Sequence, residues 1–319
     1  MMRIGLIDVD AESRGKVTFP NLSLMKISAW HKLRGDSVEW YNPLLSGHMD
    51  MVYMSKVFGD EYTKDYPYFV DATEVVKGGS GYALSVVGGK EVYNKNLDFP
   101  LRSEIDHVMP DYDLYGIKGT AYGFLTKGCP NDCDFCHVCQ MQGRQVRTFS
   151  RLSEWWDGQK NIVLLDPNLT ASKDWDMHIH DLIASEASVD FTQGLDLRFL
   201  TENKISDLNK VRWKSIHFAW DKPDVDMRSK LDMAMDGLDR ANRRTVTVYI
   251  LTNFNSTHEQ DIYRITQVRE AGAQPYVMIY RKPTAPKITR QLARWVNAPN
   301  IFWSVPTFEK YRNTARKEK

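Results

Sequence analysis

The chain has 319 residues, 42% of them apolar, which is enough to bury a large core and exceeds the length of one average domain. Its 42 Lys and Arg residues nearly balance 41 Asp and Glu residues, so no overall charge favours nucleic acid or a membrane surface. No apolar run approaches the ~18–20 residues of a membrane-spanning helix, and the acidic residues in the opening MMRIGLIDVD indicate a strand rather than a signal peptide, so we expect a cytoplasmic protein.

The first hundred residues predict a small open parallel α/β domain. RIGLIDVD (3–10) has the pattern of a short buried strand, and residues 22–33 repeat apolar side chains at the spacing of one helical face. SVEWY and MDMVYMSKVF predict two more strands, and the strand–helix–strand order favours an open, mostly parallel sheet. We place this domain at 1–93. Residues 94–118, which mix charges, prolines and turn formers, are predicted to be a linker.

From Gly119 onward the chain alternates short apolar or β-branched runs with intervals that could hold helices. The six runs are GTAYGFLT, NIVLLDPNL, VDFTQGLDL, SIHFAWD, TVTVYILTN and PYVMIY. MRSKLDMAMDGLDRAN, between the fourth and fifth runs, is the clearest predicted helix, with Leu231, Met235 and Leu238 on one face. This alternation implies a parallel α/β sheet, which could be a partial or complete barrel or a doubly wound layer.

Several of these runs end in polar residues. The polar ends are Asp166-Pro-Asn168, Gln193-Gly-Leu-Asp196, Asp221 and Thr252-Asn253. The carboxyl ends of the strands form the active face in parallel α/β folds. Any one of these residues could simply end a strand, but several together favour a shared site.

All four cysteines of the chain lie in KGCPNDCDFCHVC, residues 127–139. In a reducing compartment such a cluster indicates metal or redox chemistry rather than a disulfide framework. A structural zinc site usually has two separated CxxC pairs, and a thioredoxin-like site needs only one CxxC and leaves Cys129 unused. An iron–sulfur cluster is the third possibility, because thiolates at short spacing can wrap several irons.

The spacing Cys129-x-x-x-Cys133-x-x-Cys136, placed after a predicted strand and with Phe135 before the third cysteine, resembles the signature of the radical S-adenosylmethionine superfamily. The resemblance implies that these three cysteines hold a [4Fe–4S] cluster whose fourth iron binds S-adenosylmethionine. A one-electron reductant such as flavodoxin or ferredoxin would start the reductive cleavage to a 5′-deoxyadenosyl radical, which modifies an unidentified substrate. Cys139 is predicted not to be a ligand, because a fourth thiolate would close the cluster.

The same resemblance, which spans about 119–285, implies a partial (β/α)6 TIM-like barrel there and a covering C-terminal segment at 286–319. It also implies a set of cofactor-binding residues: Phe135 near the adenine, Asp166 and Asn168 in place of a Gly-Gly-Glu motif, Gln193 for ribose hydroxyls, Arg198 for a carboxylate with Asp196 on the same strand, and Asn253 near the adenine. Gln193, Asp196 and Arg198 are expected to face the same way along the third strand. A buried structural Asp196–Arg198 network is the alternative.

The N-terminal region resembles, in fold, the cobalamin-binding domain that precedes the radical domain in some members. It lacks the Asp-x-His-x-x-Gly string that ligates cobalt, since His31 lies mid-helix in HKLRG. Bound cobalamin is possible but not favoured, and a degenerate domain that shapes the substrate pocket or docks a partner is expected. Two alternatives stay open: a non-catalytic iron–sulfur or zinc protein, and a cobalamin-dependent methyltransferase of the same superfamily.

Overall fold

The computed structural model of the chain describes residues 1–17 and 19–317, so the last two residues of the predicted covering segment lie outside the described residues. The protein is mixed α/β, with a four-stranded and a six-stranded parallel sheet. Its contacts form two compact units. The first contains Met1–Gly123, Gly128–Gln145 and Ser150–Gln159, and the second contains Phe124–Lys127, Val146–Phe149 and the chain from Lys160 onward. The predicted domain boundaries at 93, 118 and 285 stay predictions.

The first unit contains seven strands and five helices among the described residues. The strands are β1 (Arg3–Asp8), β2 (Ser37–Trp40), β3 (Met49–Ser55), β4 (Ala72–Gly78), β5 (Leu84–Val87), β6 (Lys90–Tyr93) and β7 (Thr120–Gly123), and the helices are α1 (Val9–Arg14), α2 (Leu22–Leu33), α3 (Ser80–Ala83), α4 (Ser103–Asp106) and α5 (Val138–Gln142). The strands β1, β2 and β3 and the helix α2 confirm the prediction for this region. The segment from β4 to β6 was not predicted as sheet structure.

The second unit contains seven strands and seven helices within the described part of the chain. The strands are β8 (Thr126–Lys127), β9 (Arg147–Thr148), β10 (Asn161–Leu164), β11 (Ser188–Leu195), β12 (Trp213–Ala219), β13 (Val246–Thr252) and β14 (Gln274–Ile279), and the helices are α6 (Trp175–Ser185), α7 (Glu202–Lys210), α8 (Arg228–Gly237), α9 (His258–Glu270), α10 (Lys287–Val296), α11 (Pro299–Ser304) and α12 (Phe308–Lys317). Across residues 1–17 and 19–317, none of the helices combines the length and apolar character that crossing a membrane requires.

The four-stranded sheet has the parallel order β2-β1-β3-β4 and an apolar layer on each face. Successive side chains of β1 point to opposite faces, which places Leu6 with Leu24 of α2 and Ile7 with Val52 of β3. Burial of each such side chain stabilises the fold by roughly 1.5–3 kcal/mol. Because β1 and β3 are largely buried, they read as mostly apolar runs, which is why the sequence revealed them.

The six-stranded sheet has the order β14-β13-β12-β11-β10-β7, so within this sheet each strand lies beside the strand that follows it along the chain. All six predicted runs contain a strand, and the pairs from β10 to β14 are parallel. The predicted helix α8 ends at Gly237, one residue before Leu238, and its buried positions are Leu231 and Ala234. Leu238 is buried beyond the helix end rather than on its face.

Arg264 of α9 ties the ends of two strands together from a fully buried position. Its guanidinium donates hydrogen bonds to the carbonyls of Trp220, Asp221 and Leu251 at 2.7, 3.0 and 3.0 Å, and to the Asp261 carboxylate at 2.7 Å. A buried guanidinium is stable only when its donors are satisfied in this way. This network fixes the carboxyl ends of β12 and β13.

Candidate functional site

The cysteine loop, residues 128–145, closes on itself within the first unit. The amide of Gly128 donates to Gln142 Oε1 at 3.1 Å, and the amide of Cys129 donates to the Gly143 carbonyl at 3.1 Å. Gly128 has a φ of +98°, and a Cβ there would lie 2.2 Å from the Gln145 carbonyl oxygen. Only glycine fits this position. The close approach of the two ends of the loop therefore requires glycine directly before the first cysteine.

The predicted ligands Cys129, Cys133 and Cys136 lie in this loop, and their side chains are partly buried. The Phe135 side chain is also partly buried. The Cys136 amide donates to the Cys133 carbonyl at 2.9 Å, which curls the Cys133–Cys136 segment into a turn. Burial raises the pKa of the Cys136 thiol to about 11, and the other three thiols are near enough to add to that rise. Over residues 1–17 and 19–317, no three or more His, Cys, Asp or Glu side chains are grouped closely enough to hold a metal ion.

Cys139 differs from the other three cysteines because it is buried, whereas they are partly buried. Its thiol is 9% exposed and donates to Asp132 Oδ1 at 3.5 Å. Asp132 also accepts from Arg144 Nη2 at 2.5 Å, so the carboxylate is held from both sides. Burial and then Asp132 raise the pKa of the Cys139 thiol, which favours the protonated form. The structure therefore gives Cys139 a role in packing the loop.

A hairpin of β5 and β6 supports the cysteine loop from within the same unit. Glu91 and Tyr93 of β6 contact His137: the Glu91 carboxylate is 3.4 Å from His137 Nε2, and the Tyr93 ring stacks on the imidazole at 6.2 Å between centroids. Sequence reasoning missed this hairpin. The signal was present in LSVVGGKEVY, where two alternating runs flank a Gly-Gly dipeptide, a frequent hairpin turn.

In the second unit, the Asp166 carboxylate binds the backbone directly before the cysteine loop. Asp166 is 4% exposed, and its oxygens accept from the Leu125 amide at 3.1 Å, the Thr126 amide at 2.5 Å and the Thr126 hydroxyl at 2.6 Å. Burial raises the pKa of Asp166 to about 6, although these three donors favour the carboxylate. Both oxygens are thus engaged by the chain itself.

Strands β8 and β9 form a short antiparallel ribbon that brackets the cysteine loop in sequence. Thr126 pairs with Thr148, and the Phe149 amide donates to the Leu125 carbonyl at 2.8 Å. The Thr148 hydroxyl donates to Asp174 Oδ2 at 2.6 Å. We call Leu125–Lys127 and Arg147–Phe149 the loop root. It is held on one side by Asp166 and on the other by Asp174.

Three of the predicted cofactor-binding residues meet in one hydrogen-bonded group. Asn168 Nδ2 donates to Asp196 Oδ2 at 3.0 Å, and Arg198 donates to both Asp196 oxygens at 2.8 Å. Asn168 Oδ1 also accepts from the Ala171 amide at 3.2 Å. The Asp196–Arg198 pair is therefore bidentate, and the Arg198 side chain, 39% exposed, lies at the surface of the unit.

The expectation that Gln193, Asp196 and Arg198 face the same way along one strand is wrong. Strand β11 ends at Leu195, and its register with β12 slips between Phe191 and Leu195. Gly194 in this bulge has a φ of +96°, and Asp196 and Arg198 lie in the 3₁₀ turn that follows. Gln193 is exposed. It lines a small pocket together with Leu164, Asp166, Leu169, Phe191, Gly194 and Leu195.

Asn253 lies apart from this group at the end of β13. Its φ is +64°, a left-handed conformation that asparagine tolerates better than most residues. Its Nδ2 donates to the Tyr280 carbonyl at 2.8 Å, which links the ends of β13 and β14. The side-chain oxygen is not part of that bond.

In the first unit, His31 is a structural residue. It is buried on α2, with Nδ1 at 2.8 Å from Asp36 and Nε2 at 3.1 Å from the Tyr53 hydroxyl. The Tyr115 hydroxyl donates to Asp8 at 2.7 Å and so occupies the carboxyl end of β1, where a ligand of an open α/β sheet usually binds. Whether this unit binds cobalamin stays a prediction.

A buried carboxylate near the strand ends gives a prediction on pH. Asp221 accepts from the Leu251 amide at 3.1 Å, and burial raises its pKa from an ordinary 3.8 to about 6. The pKa of Asp221 is higher in the folded protein than in the unfolded chain, so the protonated carboxyl group favours the folded state. This contribution to the free energy of unfolding is fully present below pH 3.8 and is lost as the pH rises through about 6. We expect the free energy of unfolding to fall by about 1 kcal/mol more between about pH 5 and about pH 7 in the wild type than in Asp221→Asn. Urea denaturation of both proteins at both pH values measures this difference. An equal change in the free energy of unfolding for the wild type and Asp221→Asn would contradict the prediction.

No protein-family model matches the chain, and the comparison with curated proteins gives no match either.

Proposed function

We propose that the chain is a radical S-adenosylmethionine enzyme whose cysteine loop holds a [4Fe–4S] cluster through Cys129, Cys133 and Cys136. The observation that carries the proposal is the arrangement of the four cysteines in one self-closed loop. Three are partly buried at the spacing of that superfamily, and the fourth, Cys139, is engaged by Asp132. Three thiols at this spacing suit a cluster that keeps one iron open for a substrate or cofactor.

The donor type fits an iron–sulfur cluster, because cysteine thiolates are its usual ligands. We propose a cluster rather than a structural zinc ion because the four cysteines do not form two separated CxxC pairs. When bound, the cluster supplies the electron for reductive cleavage of S-adenosylmethionine. The chain's own residues hold the cluster and orient the cofactor.

The partial (β/α)6 TIM-like barrel belongs to this proposal. Its support is the order of the six-stranded sheet, in which each strand lies beside the next in sequence, as in the wall of a barrel. The roles of Phe135, Gln193 and Asn253 in cofactor binding stay predictions. The Asn168–Asp196–Arg198 group is proposed to bind the cofactor through Arg198, whose guanidinium suits a carboxylate. We assign Asp166 instead to the loop root, since its oxygens are engaged there.

We propose that the N-terminal region is a cobalamin-domain-like unit without bound cobalamin, and that flavodoxin or ferredoxin supplies the electron. The decisive experiment is anaerobic reconstitution with iron and sulfide, followed by dithionite and S-adenosylmethionine. Formation of 5′-deoxyadenosine supports the enzyme. A cluster ligated by all four cysteines without cleavage would favour the non-catalytic alternative, and a corrinoid spectral change on titration with cobalamin would favour the methyltransferase.

A further inference from the structure

One face of the sheet formed by β11–β14 carries polar and aromatic side chains. The opposite face is apolar and buried, with Val189, Ile216, Val248 and Val277 as examples. Because side chains alternate along each strand, the intervening residues share the other face. We define the open face by five of them: Asp190, Thr192, His217, Tyr249 and Tyr276.

Two oxygen atoms of the open face are buried and have no hydrogen-bond partner in the described part of the chain. They are Asp190 Oδ1 and Thr192 Oγ1. His217 Nδ1 lies 3.7 Å from Asp190 Oδ1, beyond hydrogen-bond distance. Leaving a buried polar atom unpaired costs about 1–3 kcal/mol, so two adjacent cases need a reason. A ligand that supplies the missing partners is such a reason.

His217 presents a third acceptor to this face. Its Nδ1 lies 3.2 Å from the Phe191 carbonyl, which can only accept, so Nδ1 carries the proton and Nε2 keeps its lone pair. Burial lowers the pKa of His217, which keeps the ring neutral near neutral pH. Both contacts of the imidazole described here involve Nδ1, and among residues 1–17 and 19–317 the structure shows no hydrogen bond to Nε2.

Aromatic rings give the open face a flat wall. Tyr249 stacks on His217 with centroids 5.2 Å apart and an angle of 8° between the rings, and it meets Tyr276 edge-on at 5.9 Å. The Tyr249 hydroxyl donates to the Thr192 carbonyl at 3.0 Å, which fixes this ring. Tyr276 and its neighbour on the same face, Met278, are 43% and 47% exposed, so this part of the face is accessible to a ligand.

We propose that the open face binds a planar group that carries N–H donors and a positive charge, of the amidine or protonated aminoheterocycle type. The Asp190 carboxylate and His217 Nε2 accept hydrogen bonds from such a group, Thr192 accepts or donates, and the tyrosine rings pack against its plane. Under the proposed function this group is part of the substrate. That identification rests on the proposed function, whereas the binding itself does not.

Benzamidine and benzoate test the proposal, because they share one ring but differ in charge and in hydrogen-bonding sense. Both are titrated into the full-length protein, with and without a reconstituted cluster, and followed by calorimetry and by the ¹⁵N resonances of His217. We expect benzamidine to bind at least tenfold more tightly than benzoate, and Asp190→Asn to weaken benzamidine at least fivefold. Asp232→Asn, which removes the same charge from α8, leaves the affinity unchanged.

Two further variants keep the test decisive if Asp190→Asn folds poorly. Tyr276→Ala truncates an exposed ring and is expected to weaken benzamidine severalfold without lowering the melting temperature. Thr192→Val removes an unpaired buried hydroxyl and is expected to raise the melting temperature. Equal binding of benzoate and benzamidine, or unchanged affinity in both Asp190→Asn and Tyr276→Ala, overturns the proposal. Because benzamidine binding is also measured without the cluster, it can be judged even if the protein forms no 5′-deoxyadenosine. Failure of the proposed function and failure of this binding proposal are therefore distinguishable.

Discussion

Replacing Cys136 by alanine is expected to abolish iron–sulfur cluster binding and 5′-deoxyadenosine formation, whereas replacing Cys139 by alanine is expected to preserve both. Cys136 is one of three thiols at the predicted ligand spacing. Without it, only two thiolates would hold the cluster and one more iron would have no protein ligand. Cys139 is already engaged by Asp132, which is held by Arg144. Its loss removes a small buried side chain and a weak hydrogen bond, with an expected cost of about 1 kcal/mol.

The measurements are iron and sulfide per chain after anaerobic reconstitution, the electron paramagnetic resonance of the reduced protein, and the yield of 5′-deoxyadenosine. Asp132→Asn serves as a second control, because it changes the partner of Cys139 without replacing a cysteine. If Cys136→Ala and Cys139→Ala fail alike, the assignment of three ligands and one packing thiol is wrong. If both retain the cluster, the assignment of Cys136 is wrong.

Most strands of the two parallel sheets could be predicted because their burial leaves a plain mark on the sequence, whereas the largely exposed strand β4 was missed. Runs such as NIVLL and TVTVYIL are apolar or β-branched, and the turns between them contain glycine, asparagine or proline. The hairpin of β5 and β6 was missed because its strands are short and half exposed. Its contact with His137 joins residues far apart in sequence, and no local pattern reports such a contact.

The error at Gln193, Asp196 and Arg198 has a specific physical cause. Side chains alternate along a strand, so Gln193 and Asp196, which are three positions apart, would point to opposite faces even on an unbroken pleat. In addition, β11 ends at Leu195 after the bulge at Gly194, so Asp196 and Arg198 lie beyond the strand. The structure contains an Asp196–Arg198 pair extended by Asn168, but Arg198 is 39% exposed, so the pair is not the buried network of the alternative. The glycine was visible in QGLDL, but its backbone conformation was not. Chemistry-bearing residues were found from the sequence, and their mutual arrangement needed the fold.

Replacing Asp166 by asparagine is expected to loosen the loop root and to lower the cluster content of the protein. Asparagine has the same shape, but its amide group puts N–H donors against the amide of Leu125 or of Thr126. One buried donor then loses its acceptor, and we expect a loss of about 2–3 kcal/mol in the free energy of unfolding. Hydrogen exchange at the Leu125 and Thr126 amides is expected to become at least tenfold faster, because their acceptor is weakened.

Asp221→Asn is the matched control for Asp166→Asn. Asp221 is also buried, has its pKa raised to about 6 and accepts a backbone amide, but its partner is Leu251. It should leave exchange at Leu125 and Thr126 and the iron content unchanged. The affinity of the cluster-loaded fraction for S-adenosylmethionine separates the two possible roles of Asp166. An unchanged affinity with less iron per chain fits a residue that holds the loop root. Full iron content, full protection of both amides and weaker cofactor binding would instead mean that Asp166 contacts the cofactor, as its place at the end of a strand first suggested.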